Sequence, residues 1–515
     1  MNNNNSQALL KLLIAYAICV PVAIWMGYLL TDPLDRTNLT VVGILALFLV
    51  MPILLRWHHF LLVATWNVAM VIFFLPGGPS LWLPMVALSL GISVLYRALN
   101  NKARFISVPQ ITMPLICLAA VVIFTAEMTG GIGLHSLGSD VMGGKRYIFV
   151  LAAIFGFFAL TAQRIPPERA KWYVTLFFLG GFSVFISDLP GLMSIPSPLY
   201  FVFLLFPPSG YIFVNSDTHA TRFGGISDMA IFGFLLMLAT YGVRGIFSWD
   251  KLWRPLMFVL FTILLFVGGF RFMIIECSLV FFIQFFLERL HQTKLLPTFI
   301  FVGTFMAVLC VPFASKLPYN FQRSLAFLPL KIDPMARQDA QGSADWRLQM
   351  WKAVLPQVPD HLLLGKGYAI SQSEFQDMTA GFHPISAEDW GSAIAGDYHS
   401  GPLSVVLPFG IWGVIAFLWF LIASLRALNN NRRYGDPALQ TVNLLLFALF
   451  ITKTLMFLII FGSLYSDMAG FIGIIGLSIS LNGGIRRPLI APAHKETETP
   501  IPAVARPQLQ PFYQH

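Results

Sequence analysis

The amino-acid sequence predicts an all-α polytopic membrane protein with about 14 transmembrane helices and one large, partly helical outer loop. Three observations carry this expectation. Of 515 residues, 57% are hydrophobic and only 11% are charged, against about a quarter charged in an ordinary soluble domain. Apolar runs of about 17 to 25 residues, each able to cross a hydrocarbon core, recur along the chain. Between them Lys and Arg collect in alternate short loops, the distribution that sets membrane orientation. The net charge of +9 sits in those clusters rather than in a stripe with stacking aromatics, which argues against nucleic acid as a partner.

Taken in order, residues 1–7 are polar, and the run 9–30 is too long for the core of a cleaved signal peptide, so it is expected to be the first span. Further runs start near Thr40, Phe60, Leu81, Ile111, Tyr147, Lys171, Asp228, Pro255, Phe272, Leu295, Pro402, Ala438 and Ser466. Arg56; Arg97, Lys102 and Arg104; Arg164, Arg169 and Lys171; Arg244, Lys251 and Arg254; Arg289 and Lys294; Arg426, Arg432 and Arg433; and Arg486 and Arg487 mark cytoplasmic loops. Both termini are then inside. The loops near Thr31 and Pro76 and those at 129–145, 190–227, 268–271, 312–401 and 463–467 fall outside. The expected organisation is helices 1 to 11 over 1–311, the large loop over 312–401, helices 12 to 14 over 402–483, and a disordered cytoplasmic tail over 484–515, rich in Pro. The stretch 200–214 is apolar but short and broken by Pro207, Pro208 and Gly210, the pattern of a segment that dips into the outer leaflet and returns. Cys19, Cys117, Cys277 and Cys310 lie in apolar runs without metal-type spacing and read as small buried residues. No internal repeat supports the inverted symmetry common in secondary transporters.

A loop of about 90 residues is too long for a simple connector. Within it, Ser343 or Asp345 is expected to cap a helix on which Trp346, Met350, Trp351 and Val354 form one apolar face, flanked by Arg347 and Lys352. The loop reads as a lid over a site at the membrane surface.

Basic residues on the outer side run against the inside preference. Arg222 precedes the helix that begins near Asp228, and Arg271 lies at a turn with almost no loop to keep it in water. Ionisable groups at the membrane boundary are expensive, and a functional role is the default reading. The structural alternative for each is a snorkelling side chain or an ion pair, with Asp228 beside Arg222 and Glu276 beside Arg271. Arg347, on a solvated helix, has the weaker claim. His399 stands where the loop re-enters the membrane, and an imidazole can take a proton from a hydroxyl near neutral pH; Asp397 or Tyr398 is positioned to orient it. His135, His219, His361 and His383 read as polar filler.

Together these residues suggest a leaving diphosphate gripped by guanidinium groups beside an imidazole base. Arginine matches phosphate oxygens bidentately and stays charged, and a diphosphate gains charge as its bond to a sugar breaks. The sequence has no Asp-x-Asp pair, Gly-rich phosphate loop or zinc-type cluster, so no metal site and no cofactor are expected.

Four stretches, in order, carry a resemblance to the O-antigen ligase and polymerase superfamily. They are Arg222-Phe223-Gly224-Gly225; Phe270-Arg271 before an apolar helix; Trp346-Arg347-Leu348-Gln349-Met350-Trp351 with Leu364-Gly365-Lys366-Gly367; and Tyr398-His399-Ser400-Gly401 with Gly410-Ile411-Trp412-Gly413. The chain departs from the family pattern in Ile226-Ser227-Asp228 after the first arginine, in Phe270 before the second and in Ser400 after the histidine. The resemblance implies a metal-independent, inverting glycosyltransferase of the bacterial inner membrane with a periplasmic loop. It would move a glycan from a polyprenyl (undecaprenyl) diphosphate carrier to an acceptor hydroxyl on a glycan, lipid or protein. It assigns donor diphosphate binding to Arg222 and Arg271, with Arg347 as an additional contact, and activation of the acceptor to His399. The competing expectation is a flippase that recognises the same lipid-linked glycan without cleaving a bond.

Overall fold

The computed structural model describes residues 3–29, 31, 36–75, 77–100, 104–129, 144–208, 223–248, 250–369 and 396–488. Arg222, residues 209–214 of the apolar segment broken by Pro207 and Pro208, and the tail from 489 onward lie outside the described residues. Among those described the regular structure is helical, apart from one isolated antiparallel bridge between Val71 and Ser80.

The first part of the chain forms α1 (Asn3–Leu29), α2 (Arg36–Thr65), α3 (Trp82–Leu99), α4 (Pro109–Met128), α5 (Gly144–Leu160) and α6 (Ala170–Leu179). There follow α7 (Gly224–Ile246), α8 (Trp253–Gly268), α9 (Arg271–Leu287) and α10 (Leu295–Cys310). The large loop contributes α11 (Tyr319–Ser324) and α12 (Pro334–Val354), and the chain ends in α13 (Gly401–Tyr434), α14 (Gln440–Leu455) and α15 (Leu464–Asn482). Among the described residues, eight helical stretches are long and apolar enough to cross a bilayer, and Cys19–Leu29, Trp253–Gly268 and Leu295–Val308 are shorter apolar helices. This is a multi-pass membrane protein, but the expected number of about 14 crossings is not reproduced. One reason is Phe60: α2 runs through it to Thr65 and the chain then continues without helix to Trp82, so no separate span begins there. α5 and α9, of 17 described residues each, are likewise not among the eight.

α15 lies at the centre, its residues almost continuously buried, and packs on α5, α13 and α14. A helix that is apolar on all sides is one that other helices surround. Its polar atoms are satisfied internally, as a lipid environment requires. The Trp66 indole N–H donates to the Ala469 carbonyl (3.2 Å), and the Ile165 N–H to that of Ser480 (2.9 Å). At the end bearing the basic loops, Asn443 and Asn482 exchange side-chain hydrogen bonds of 3.2 and 2.9 Å. Asn431 there accepts the Arg486 N–H at 2.9 Å, so that α13, α14 and α15 are tied together. α7 packs on α8, α9 and α14. Lys453 of α14 pairs with Glu276 of α9 at 3.2 Å; Glu276 is therefore engaged there, and is not seen as the counter-ion that sequence reasoning offered for Arg271.

The other end of the bundle is shaped by a break in α13. Gly410 has φ +60 and ψ −160, a conformation that is essentially glycine-only. The break frees the carbonyls of Leu407 and Pro408, which accept from the Lys366 N–H (2.7 Å) and the Gly367 N–H (3.0 Å), while Ile411 N–H donates to Leu362 O (2.7 Å). A Cβ on Gly410 would stand 2.7 Å from the carbonyl oxygens of Leu362 and Leu363, and one on Gly365 (φ +76) would collide with Pro408 O. The close pairing of residues 362–367 with this break docks the end of the loop onto the membrane helices.

Candidate active site

The loop helix α12 starts at Pro334, with the Asp333 carboxylate accepting the Met335 N–H at 2.8 Å. This Asp-Pro cap lies upstream of the Ser343 and Asp345 expected from the sequence, so the helix is longer than its apolar face alone indicated. Proline at N1 lacks the N–H that would be orphaned, and aspartate at the N-cap satisfies another. Met350 and Val354 are buried on its inner face with Tyr398, Leu403 and Leu407, while Trp346 and Trp351 pack beside them. Burying an aliphatic side chain is worth about 1.5–3 kcal/mol, so this cluster presses α12 against the start of α13.

Gly269, whose left-handed backbone (φ +75) closes α8, is separated from the start of α9 only by the N-cap residue Phe270. The turn places Arg271 at the helix N-terminus, where its guanidinium Nη2 donates to Ala340 O of α12 at 2.7 Å. Arg323 of α11 fixes the same region. It is 4% exposed; its Nε donates to Asp339 Oδ2 at 2.6 Å and its Nη1 to Gly269 O at 2.7 Å. A charge-assisted bond of this length is among the stronger ones available to a side chain.

Arg271, Arg323, Arg347 and His399 line a single cavity of about 550 Å³. Its walls also include Phe270, Phe272, Ile275, Phe327, Trp346, Ile460 and Phe461, so cationic and apolar groups share the lining. Phe461 touches both kinds of group. His399 stacks on it (centroids 5.0 Å apart, planes 27°), Phe272 stacks at 5.3 Å, and the Arg347 guanidinium lies 5.4 Å from its centroid. Trp346 approaches the imidazole from α12 at 4.9 Å. The backbone reaches this point through a π-helical turn, Met456–Ile460, at the end of α14; such turns recur at functional sites.

Several polar atoms in this cavity are buried without a hydrogen-bond partner among the described residues: Trp346 Nε1, Arg347 Nε and His399 Nδ1. Two are obligate donors, and leaving such groups unmatched costs about 1–3 kcal/mol each, so an anionic or hydroxyl-bearing ligand is their natural complement. Burial, and then the charge of Arg271, lower the pKa of Arg347; a guanidinium nonetheless stays cationic at neutral pH. Burial lowers the pKa of His399, Asp397 raises it and Arg347 lowers it, leaving the net shift downward. The imidazole is thus held neutral, the form a general base needs.

His399 Nδ1 lies 3.7 Å from Asp397 Oδ1, too long for a hydrogen bond but close enough to steady a protonated ring. Tyr398 is placed differently: its ring is buried in the apolar cluster, and its carbonyl accepts the Trp351 indole N–H at 2.8 Å. His399 has φ +47, a left-handed conformation that costs a non-glycine residue of order 1–3 kcal/mol and recurs at functional sites.

Of the residues singled out from sequence, Arg271, Arg347 and His399 come together with Asp397 beside them, and Tyr398 supports from below. Arg222 is not described, but Phe223, the residue after it, lies against Gly268 at the end of α8. Sequence reasoning missed Arg323 and Phe461. Arg323 carries the same signal as Arg271, a basic residue on the side where the sequence leads one to expect few, but is concealed by its place in a long polar loop. Phe461 is one of 48 phenylalanines, and only the π-turn distinguishes it.

A multi-pass helical bundle whose loop helix helps to wall a cavity lined by arginines and an imidazole defines a class of membrane protein with a polar, cationic site beside its helices. Residues 223–418 match the family model described as O-Antigen ligase, and this stretch is thereby similar to an O-antigen ligase domain, which supports the superfamily resemblance read from the four motifs. The family points to a glycosyltransferase-type enzyme acting on a lipid-linked glycan and a glycan acceptor. The curated proteins contain no match to the chain.

Proposed function

We propose that the chain transfers a glycan from a polyprenyl diphosphate carrier to an acceptor hydroxyl at the end of the bundle away from the basic loops. The clustering of Lys and Arg in the opposite loops supports an outward orientation of that end, which in this reading is the periplasmic face of a bacterial inner membrane. What supports this most is the single cavity lined by Arg271, Arg347 and His399. In this reading Arg271 and Arg347, joined by Arg222, grip the carrier diphosphate, and the apolar side chains of Phe270, Phe272 and Ile275 receive the first prenyl units. With His399 Nδ1 turned to Asp397, Nε2 takes the acceptor proton. The acceptor oxygen bonds to the anomeric carbon as that carbon's bond to the diphosphate oxygen breaks. The electron pair leaves with the carrier diphosphate, and the anomeric configuration inverts. Guanidinium groups supply the positive charge where charge develops, so the step as written needs no metal.

The test is a purified assay in nanodiscs that follows released carrier diphosphate. His399→Ala is expected to abolish transfer with donor binding retained, and Arg271→Ala to impair donor use. Transfer at the wild-type rate by both variants removes the mechanism; movement of intact donor without released carrier diphosphate supports a flippase. Product length separates ligation from polymerisation, since a polymerase leaves a ladder on the carrier.

A further inference from the structure

We propose that Trp351 is a positioning residue that sets the working conformation of His399. The inference rests on the reading of His399 as the base and assigns a role that the motif resemblance does not. The Trp351 indole N–H donates to Tyr398 O at 2.8 Å, and that oxygen belongs to the peptide plane immediately before His399. The dihedral at +47 is the rotation of His399 relative to this same plane. Without a tether, a non-glycine residue relaxes to negative φ, and such a rotation swings the imidazole off Phe461 and out of the cavity. The other side of the plane is anchored by the Tyr398 ring, packed among Met350, Val354, Leu403 and Leu407. Ring and carbonyl of Tyr398 are therefore both held by α12, one through apolar contact and the other through a directed hydrogen bond. Downstream, Ser400 is the N-cap residue of α13 and its carbonyl accepts the Ser404 N–H at 2.9 Å, which anchors the chain after His399, while Trp351 holds the peptide plane before it. Trp351 lies one turn beyond Arg347 on the same helix, so one rigid element sets a diphosphate ligand and the base together.

The experiment separates this role from general packing. Trp351→Phe removes the N–H with part of the ring, and incorporation of 3-benzothienylalanine at 351 replaces the N–H by sulfur while keeping the bicyclic shape. Both chains, full length in nanodiscs, are assayed for released carrier diphosphate with the polyprenyl-linked donor varied, and their melting midpoints are measured. The expected result is a kcat about tenfold lower, the rate equivalent of one neutral hydrogen bond, with donor KM within twofold and, for the benzothienyl chain, an unchanged midpoint. A benzothienyl chain with kcat within twofold of wild type overturns the proposal. So does a joint loss of kcat, donor KM and melting midpoint, which makes Trp351 a packing residue only. His399→Ala run alongside keeps the two readings apart: if it is active, the base assignment fails; if it is inactive while the benzothienyl chain is fully active, only the positioning role fails.

Discussion

Removal of Arg323 should loosen the loop helix from the membrane helices by an amount that can be calculated. The guanidinium is buried, with side-chain exposures of 5% and 12% for Arg323 and Asp339, and it joins three pieces: α11 that carries it, α12 through Asp339, and the Gly269 turn that precedes Arg271. Taking away one member of a buried ion pair costs about 3–5 kcal/mol, because a charge remains in a poorly solvated place. At about 1.4 kcal/mol per decade, Arg323→Met should lower hydrogen-exchange protection across α12 by roughly two to three and a half decades, up to the limit set by global unfolding. Replacing both partners by apolar side chains is often close to neutral. The double variant Arg323→Met with Asp339→Leu should therefore regain protection to within about tenfold of wild type, the residual reflecting the lost bond to Gly269 O. Donor KM should rise in the single variant, since α12 supplies both Arg347 and the carbonyl that holds Arg271. Protection within threefold of wild type in the single variant, or a double variant as exposed as the single, would show that this pair does not dock the helix.

The remaining predictions concern pH and the break in α13. Because burial and Arg347 hold the His399 pKa below the ordinary imidazole value and the neutral ring is the active form, kcat/KM should fall only as pH drops below that ordinary value. Asp397→Asn should move this acidic limb to still lower pH by removing the group that raises the pKa, and Arg347→Gln should move it higher; limbs moving the opposite way would exclude His399 as the titrating base. Gly410→Ala forces a side chain into a glycine-only conformation and against two carbonyls 2.7 Å from its Cβ. It should lower the unfolding free energy by about 2 to 4 kcal/mol, read as a depressed melting midpoint, and an unchanged midpoint would mean that the pairing with residues 362–367 is not structural.

What the sequence discloses follows from how locally each feature is encoded. Membrane helices are legible because lipid demands long apolar runs, and the count fails where a run passes through Phe60 without the chain turning. Arg271 is legible because a charge at a turn of four residues has nowhere to be solvated, which is a property of its immediate neighbours. The inner face of α12 is legible from Trp346, Met350, Trp351 and Val354, while its start is not, because Ser343 and Asp345 resemble a cap and the stronger Asp333-Pro334 pair lies more than three turns upstream of the apolar pattern. The bond from Trp351 to Tyr398 spans 47 positions, and no periodicity reports it. The same holds for the link from Arg323 to Gly269 across 54 and for Phe461, which reaches His399 only because a π-turn ends α14. The charged groups that would touch substrate announce themselves by the energetic penalty of their position, whereas the groups that aim them are ordinary residues made specific by tertiary contact. The physical signal of a positioning residue therefore lies in its partner: Trp351 becomes informative once His399 is seen to hold φ +47, because that conformation requires something to maintain it.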